Sequence, residues 1–384
     1  MYKRQSRISY AQTDANLAQL HKLIIDCINR LIVQLCQQAQ INTSQIYEVA
    51  VVGNTTMNHI FLKLPIAQLG QAPYRAYRLD ACDMRPGDLA LQINPAGNVH
   101  TVANIAGFVG ADITAVALAI DIESADEVTL AIDIGTNGEV ILAAGNQIYA
   151  ASCAAGPAFE GARISCGSRA QEGAIEAVVL NDGDIDLDVI GNGLARSICG
   201  SGLIDAVAVM LDLGVINSSG RFVSLGELAG KVPEHILDRI IEQDGQPAFV
   251  LAGNKDAAGE KVVLTQADIR QVQLAKAAIR AGIKLLLKKI GLKDSDIKRI
   301  FLAGAFGNYI RPESALRIGL LPFIAPERII FVGNAACSGA QMVLLSQQYR
   351  QKARQLARKI QYLEIANQPD FQDCLLYTSP SPRD

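Results

Sequence analysis

Apolar residues recur at helical spacing early in the chain, and a short apolar run follows them. Thr13 or Asp14 stands where the capping residue of this predicted helix is expected. The run over 47–52 predicts a buried strand that ends at Gly53. The apolar positions that mark one face of the predicted helix are Leu17, Leu20, Ile24, Ile28, Leu31 and Leu35.

The same order of elements returns later in the chain. A predicted helix over about 267–290 is followed by a predicted strand over 298–303. The stretches Ser44–Gly53 and Ser295–Gly304 align without a gap at an offset of 295 − 44 = 251 residues. We therefore predict a duplicated α/β architecture, although helix–strand–glycine units also recur by chance in α/β proteins.

After each of these strands the pattern predicts a loop, another strand and a helix of small residues. The small-residue stretches are Ala103–Ala111 in the first copy and Val332–Ala340 in the second. Helices rich in glycine and alanine pack closely, so we expect the two halves to approach each other around a cleft. The stretch Gly53–His59 could line that cleft, and we interpret His59 as a packed histidine and not as a catalyst.

The turn between Asp133 and Gly138 carries the first candidate chemistry. Two apolar strand-like runs flank it, so the sequence predicts a β-hairpin. Gly135 and Gly138 are expected to take positive φ and to let the backbone approach an anion, while Thr136 and Asn137 add donors. Asp133 at the strand end is able to hold Mg²⁺. The alternative is an ordinary Asn-Gly hairpin with a structural aspartate.

Two further glycine motifs add candidates for ligand binding. Gly200, Ser201 and Gly202 open a predicted helix and either direct amides at a phosphate or ribose or form a tight turn. The motif over 302–308 follows a buried strand, so it stands at the carboxyl end of a sheet, where α/β proteins bind ligands. Its small residues, expected to accept a flat adenine or ribose, are Gly304, Ala305 and Gly307.

The remaining segments carry weaker signals. Glu160 and Arg163 lie in a polar loop and form either part of a site or a local ion pair. Short strands are predicted near 171–190, and residues 216–265 are interpreted as a variable insertion with one short helix near 233–242. A last helix over 341–360 carries cations that we interpret as a solvated face, at positions 350, 352, 354, 358 and 359.

Composition excludes several classes of protein. The 384 residues are 50% hydrophobic and 19% charged, so the chain is able to bury a sizeable core in two or three subdomains. A net charge of −3, without a Lys/Arg run, argues against a nucleic-acid surface. No apolar stretch reaches the roughly 18 residues of a membrane span, so we expect no membrane partner and a cytoplasmic protein. The scattered cysteines form no CxxC pair, so this sequence predicts neither a zinc site nor an iron–sulfur cluster within it.

Both ends of the chain look foreign to it. The tail Cys374–Asp384 back-translates to a DNA string whose reverse complement, read from a GTG start, encodes Met1–Gln5. This pairing resembles a transposase sequencing adapter in two orientations, so we expect residues 1–5 and 374–384 to be adapter-derived. We then expect a first subdomain over 6–126, truncated at its N-terminus, and a C-terminal subdomain over 127–373; the resemblance given next implies that they are a middle and an ATP-binding subdomain.

The order of a phosphate hairpin followed by a glycine-rich adenosine loop resembles the superfamily of actin, sugar kinases and heat-shock ATPases. This resemblance implies an α/β, duplicated RNase H-like, two-subdomain ATPase whose first subdomain is incomplete here. From Ser6 to about Asp373 the chain also resembles, more specifically, the ATP-binding part of the reductive activators of corrinoid proteins. The motifs that carry the second resemblance are Asp133–Glu139, Ala155–Gly167, Ile198–Asp205, Leu302–Tyr309 and Val332–Ala336.

The family resemblance implies an ATP-dependent activase that returns cob(II)amide on a corrinoid protein of a methyltransferase system to cob(I)amide. Asp133 would help to hold Mg²⁺ or the attacking water, Gly135–Gly138 would bind phosphates, and Gly304–Gly307 would accept the adenosine. An iron–sulfur cluster is expected only in a region ahead of this one, together with a first phosphate loop. The 384-residue chain alone is therefore expected to bind ATP poorly and to be inactive, and the family suggests a homodimer.

Two other functions stay open at this point. A small-molecule kinase of the same superfamily would use the same cleft but would need a substrate base near the γ-phosphate. A non-catalytic nucleotide-gated binding module would close on ATP and dock a partner on its outer surface. The sequence identifies neither the corrinoid partner nor the cluster type.

Overall fold

The computed structural model describes residues 2–253, 255–304 and 309–381. Helices and strands alternate over most of 14–119 and 266–362, whereas six consecutive strands occupy 129–198, so the fold is a mixed α/β one. The helices are α1 (Tyr2–Tyr10), α2 (Asp14–Ala39), α3 (Thr55–Phe61), α4 (Ala111–Ala119), α5 (Gly200–Asp212), α6 (Leu225–Leu228), α7 (Glu234–Leu237), α8 (Gln266–Lys289), α9 (Pro312–Arg317), α10 (Ala335–Leu345), α11 (Gln347–Lys359) and α12 (Phe371–Thr378).

The strands are mostly short and buried. They are β1 (Glu48–Val51), β2 (Cys82–Met84), β3 (Asn98–Thr101), β4 (Thr129–Ile134), β5 (Gly138–Ala144), β6 (Gln147–Cys153), β7 (Ala174–Asn181), β8 (Asp184–Val189), β9 (Ser197–Ile198), β10 (Ile240–Gln243), β11 (Gln246–Ala252), β12 (Val262–Thr265), β13 (Arg299–Ala303), β14 (Ile329–Gly333) and β15 (Gln361–Tyr362).

The chain forms two compact units, and each of them combines segments that are distant in sequence. Unit 1 consists of Met1–Thr129, Ile141–Ser152 and Asn334–Leu363. Unit 2 consists of Leu130–Val140, Cys153–Gly333 and Glu364–Asp384.

The internal repeat is visible in the elements themselves. Moving α2 by 251 residues gives 14 + 251 = 265 and 39 + 251 = 290, and α8 spans 266–289. The 3-10 turn Thr43–Gln45 moves onto 294–296, where the second copy has the turn Asp294–Asp296. β1 moves onto 299–302, within β13. In each copy this strand pairs in parallel with the next major strand, β1 with β3 and β13 with β14.

The buried face of α2 follows the predicted apolar pattern only in part. Thr13 caps the helix as expected, accepting a hydrogen bond from the amide of Asn16. Leu17 is buried, and Leu20, Ile24 and Ile28 pack partly buried against the core, as predicted. Leu31 and Leu35 are exposed, however, and the other buried residues are Ile25, Asn29, Ile32 and Cys36. Asn29 turns inward because its side chain donates to Ala90 O at 3.0 Å and accepts from the Gln92 amide at 2.9 Å.

Small residues bring two helices of unit 1 into close contact. A Cβ added at Gly339 on α10 would lie 2.1 Å from the carbonyl oxygen of Ala115 on α4, so only glycine fits there. The stretch Ala103–Ala111, predicted as helical, is instead mostly the loop that leads into α4, which begins at Ala111. Asn104 in that loop accepts from the amide of Ala111 and thereby fixes the start of the helix.

His59 is packed in the core of unit 1, as the sequence indicated. Its side chain is fully buried on α3. Nδ1 lies 2.7 Å from the carbonyl oxygen of Thr55, and Nε2 lies 3.1 Å from the amide nitrogen of Arg78. Nδ1 therefore donates and Nε2 accepts, which is the arrangement of a neutral imidazole. Burial lowers the pKa of His59.

The prediction of one solvated helix over 341–360 is wrong in the number of helices. The segment contains two helices, α10 and α11, separated at Ser346. Arg354 and Arg358 are exposed, as a solvated face requires, but the cations of α11 are also paired with acids within unit 1. The pairs are Arg350 with Glu48, Lys352 with Asp121, Arg354 with Asp83, Arg358 with Asp80 and Lys359 with Glu123.

Unit 2 is built around α8 and the strands β14, β13 and β4 with the start of β5, which are neighbours in that order. The predicted short strands near 171–190 are β7 and β8. The segment 216–265, interpreted as a variable insertion, also contains a three-stranded sheet in the order β10-β11-β12. The helix expected near 233–242 ends at Leu237, because the chain then enters β10.

Candidate functional site

The predicted hairpin forms between β4 and β5, with Asp133 near the end of the first strand. Residues 135–137 make the bend, and the amide of Gly135 donates to the carbonyl oxygen of Asn137 at 3.1 Å. Asp133 and the bend residues are half-buried, whereas Gly138 is fully buried. The bend is therefore a partly accessible turn that connects two mostly buried strands.

The expected positive φ at Gly135 and Gly138 is wrong, because neither residue adopts that backbone conformation. Glycine is required at position 138 for a different reason. A Cβ there would lie 2.6 Å from Cγ1 of Ile279 on α8, so the missing side chain lets β5 approach the helix. At Gly135 the nearest atom to an added Cβ is Asn137 O at 3.6 Å, an ordinary van der Waals distance, so packing does not require glycine there.

Gly304, which directly follows β13, lies next to the side chain of Asp133. Its φ is +98°, a conformation that favours glycine, and an added Cβ would lie 2.8 Å from Oδ1 of Asp133. The Gly304 amide donates to the carbonyl oxygen of Gly333 at 2.9 Å, which fixes this backbone. The structure thus brings together two predicted site residues that are distant in sequence. Ala305 and Gly307, predicted to continue this loop, lie outside the described residues.

Thr136 is hydrogen-bonded to the carboxylate of Glu160, which the sequence indicated only as a weak site candidate. Its hydroxyl donates a short hydrogen bond to Oε1 of Glu160. Glu160 ends the 3-10 turn Ala158–Glu160, which lies against α5 and α8. The donor that we expected to face a phosphate is therefore directed at Glu160, while Arg163 stands exposed with a φ of +67°.

The loop after this turn is hydrogen-bonded to the first turn of α8. Ser165 donates to Oδ1 of Asp268 through its amide at 2.8 Å and its hydroxyl at 3.2 Å. Oδ2 of Asp268 accepts from the amide of Thr265 at 2.8 Å, in the capping box of the helix. Sequence reasoning missed Asp268, although a threonine followed three residues later by an acid, before an apolar helix, signals such a cap.

Gly200, Ser201 and Gly202 form the buried first turn of α5. A Cβ at Gly202 would lie 2.4 Å from the carbonyl oxygen of Ile175, so this glycine allows the helix to touch β7. The N-cap residue Cys199 makes no side-chain capping bond to the helix amides. The motif thus opens a helix, as predicted, and its second glycine has a packing role.

The described residues contain no cluster of three or more His, Cys, Asp or Glu side chains that could hold a metal ion. The cysteines are free thiols, and Cys153, Cys36 and Cys199 are buried. Across the described helices, none has the length and apolarity needed to cross a bilayer.

Two family models together match most of the chain. Residues 127–381 match the C-terminal domain of RACo, described as the ASKHA domain. Residues 5–125 match the RACo middle region.

Known relatives cover nearly the whole chain. The "Corrinoid activation enzyme RamQ" of Eubacterium limosum is 38% identical over 367 residues, which is 95% of this chain and 61% of that protein. The "[Co(II) methylated amine-specific corrinoid protein] reductase" of Methanosarcina barkeri is 26% identical over 391 residues, 93% of this chain and 66% of that protein.

A solved structure titled "Reductive activator for corrinoid,iron-sulfur protein" superposes with a TM-score of 0.87 at 36% identity. The match covers 98% of this chain and 59% of that one. The chain thus spans about three fifths of the relatives that it matches. The predicted fold class, a duplicated RNase H-like α/β fold, is confirmed.

Proposed function

Because this chain belongs to the RACo family, whose ASKHA and middle domains it carries, we propose that it is the nucleotide-binding part of an ATP-dependent reductive activator of corrinoid proteins. The names of the relatives support this choice, since they describe a corrinoid activation enzyme and a Co(II) corrinoid protein reductase. In the proposed reaction the corrinoid cobalt is the substrate, and it gains one electron in passing from Co(II) to Co(I).

The contact between Asp133 and Gly304 is the observation that carries the proposal. It places an acid from the hairpin beside a backbone without a side chain, at the ends of two strands that are neighbours in the sheet. Ligands bind at such strand ends in α/β proteins. A nucleotide seated there would have phosphates near an acid able to hold a cation and a ribose or base near the glycine.

We assign the roles of the site residues on this basis. Asp133 orients the attacking water or a metal-bound water, and the backbone of Gly135–Gly138 with Asn137 faces the phosphates. The Thr136 hydroxyl reaches a phosphate only after it leaves Glu160. The buried first turn of α5, Gly200–Gly202, and the backbone from Gly304 through Ala305 and Gly307 serve the adenosine.

A single carboxylate is sufficient for the proposed metal. Mg²⁺ keeps several waters and is usually held by one or two carboxylates together with substrate phosphates. Half-buried Asp133, at the end of its strand, fits that description. When bound, Mg²⁺ would neutralise charge on the phosphates, and Asp133 would fix its position.

The described residues do not fit an iron–sulfur cluster, since they bring no set of three possible ligands together. We therefore derive no electron-transfer step through this chain. We propose that the electron comes from an iron–sulfur domain elsewhere in the longer protein, and that ATP hydrolysis makes the uphill reduction possible.

The partner proposed is the corrinoid protein of a methyltransferase system, and a homodimer and a cytoplasmic location stay proposals of the same kind. The kinase alternative is less supported, because neither named relative is a kinase. It would require a base for a small-molecule hydroxyl near the hairpin.

The test compares Asp133→Ala with the unaltered protein, expressed from the complete gene. We expect slow ATP turnover that rises when a Co(II) corrinoid protein is added, and we expect the variant to lose the stimulated part. Co(I) formation is followed by absorbance and phosphate release by a coupled assay. Asp188→Ala is the matched control, because Asp188 is an exposed acid on β8 of the same unit.

Stimulation that survives in Asp133→Ala would contradict the role of the hairpin. ATP turnover that responds to a small alcohol or acid and not to the corrinoid protein would favour the kinase alternative.

A further inference from the structure

Asp205 is a buried acid for which the proposed reaction has so far supplied no role. It lies on α5, one turn after Gly202, and it is fully buried. Oδ2 accepts from the amide of Val178 on β7 at 3.3 Å. Oδ1 is buried without a hydrogen-bond partner among the described residues. A buried carboxylate is costly unless its surroundings compensate for the lost water, so its position calls for an explanation.

The surroundings of Asp205 include the first turn of α9. Burial raises the pKa of Asp205, and the neighbouring Ser314 side chain, the Val178 amide and the charge of Arg311 partly offset that effect. Ser314 is itself buried, and α5 packs against α9. The carboxylate of Asp205 thus joins α5 to the strand β7 through the Val178 amide and lies near the start of α9.

Both helices follow closely in sequence on residues to which we assign the adenosine. α5 begins with Gly200–Gly202, and α9 begins 312 − 304 = 8 residues after Gly304 along the chain. The phosphate hairpin, in contrast, has its own attachments, through Gly138 to Ile279 and through Thr136 to Glu160. The two sides of the proposed nucleotide site thus depend on different contacts.

We propose that Asp205 is a positioning residue for the adenosine side of the site: its carboxylate holds the α5 start and the α9 start in register on β7. This inference rests on the proposed nucleotide binding. It predicts that losing the carboxylate weakens the binding of ligands that contain adenosine and spares the binding of phosphates.

The test measures dissociation constants of Mg·ATP and Mg·pyrophosphate for the protein expressed from the complete gene and for its Asp205→Asn variant by calorimetry. We expect the ATP dissociation constant to rise about tenfold, the size of a moderate coupling effect, and the pyrophosphate constant to stay unchanged. Asp212→Asn is the matched control, since Asp212 also joins α5 to α9, through Arg317 at a more exposed position. We expect that variant to bind both ligands normally.

Several results would overturn the inference. Unchanged ATP affinity in Asp205→Asn would do so, and so would an equal loss for ATP and pyrophosphate, which indicates a general structural role. If Asp205→Asn fails to fold, Ser314→Ala takes its place, and equal binding of both ligands by that variant relative to the unaltered protein counts against the inference. Binding of neither ligand by the unaltered protein would count first against the nucleotide site itself, and the inference would fall with it.

Discussion

The backbone of Gly304 lies so close to the Asp133 carboxylate that a methyl group at position 304 would sit 2.8 Å from Oδ1. Gly304→Ala should therefore strain the backbone, whose φ is +98°, and push the acid aside. We expect the free energy of unfolding to fall by about 1–3 kcal/mol and ATP binding to be lost. Urea unfolding and calorimetric titration measure the two effects.

Gly245→Ala separates the effect of backbone strain from the effect of displacing the Asp133 carboxylate. Gly245 also has a positive φ, +73°, but nothing lies within 4 Å of an added Cβ. The control should lose stability and keep its nucleotide affinity. If both variants kept the same affinity, Gly304 would have no role beyond its own backbone conformation.

Substitutions at Gly138 and Ile279 should change the stability of the protein in a strongly non-additive way. In Gly138→Ala the new methyl group would meet Cγ1 of Ile279 at 2.6 Å, and overpacking of this kind costs about 1–3 kcal/mol. Ile279→Ala removes the obstructing atoms at the cost of a cavity. We expect the double variant to be less destabilised than the sum of the single ones in a thermal unfolding series, and simple additivity would show that β5 does not rest on α8 here.

The hydrogen bond from Thr136 to Glu160 can be tested with a double-mutant cycle. The variants are Thr136→Val, Glu160→Ala and the pair. A hydrogen bond to a charged group contributes about 1.5–3 kcal/mol, less at this half-buried position. We expect a coupling free energy on the order of 1 kcal/mol without ligand. With saturating Mg·ATP the coupling should shrink, because a phosphate then competes for the hydroxyl; an unchanged value would count against phosphate binding by Thr136.

Acid should destabilise the protein partly through His59. Burial lowers the pKa of His59 in the folded state, whereas in the unfolded chain it is near 6.5. The unfolded state then binds more protons as the pH falls below about 6.5, so stability declines until the pH passes the folded pKa. Each such histidine contributes a slope of at most about 1.4 kcal/mol per pH unit.

His59→Gln should flatten this slope, and unfolding midpoints between pH 7 and pH 5 measure it. His100 contributes in the same direction, because burial also lowers its pKa. His235→Gln serves as the control, since His235 lies exposed on α7. An unchanged slope in His59→Gln would mean that other groups govern the acid response.

Sequence patterns predicted the repeated elements well, because those elements are encoded locally. The apolar helix α8, the strand β13 and the hairpin at Asp133 all lie where spacing and turn residues indicated. The face of α2 was mispredicted in its second half, where Leu31 and Leu35 are exposed. Burial there follows Asn29, whose partners at Ala90 and Gln92 are remote in sequence.

The remaining errors also come from contacts between residues that are distant in sequence. Gly138 looked like a residue required for its φ, yet its contact with Ile279 depends on a helix that begins more than a hundred residues later. The ion pairs of α11 were missed, since the acidic partners, such as Glu48 and Asp121, are hundreds of positions away. The roles of Gly200–Gly202, Gly304 and Asp133 in binding stay predictions.

Because Cys153 packs against α8, the reactivity of its thiol can measure how often unit 2 opens locally. Its thiol is fully buried with a raised pKa, and a Cβ at Gly282 would lie 2.2 Å from its Sγ. Thiolate is the reactive form, so a disulfide reagent can modify this sulfur only after the strand and the helix separate. The rate of its labelling, compared with that of exposed Cys337, would therefore report how often the helix that supports the hairpin detaches in the native protein.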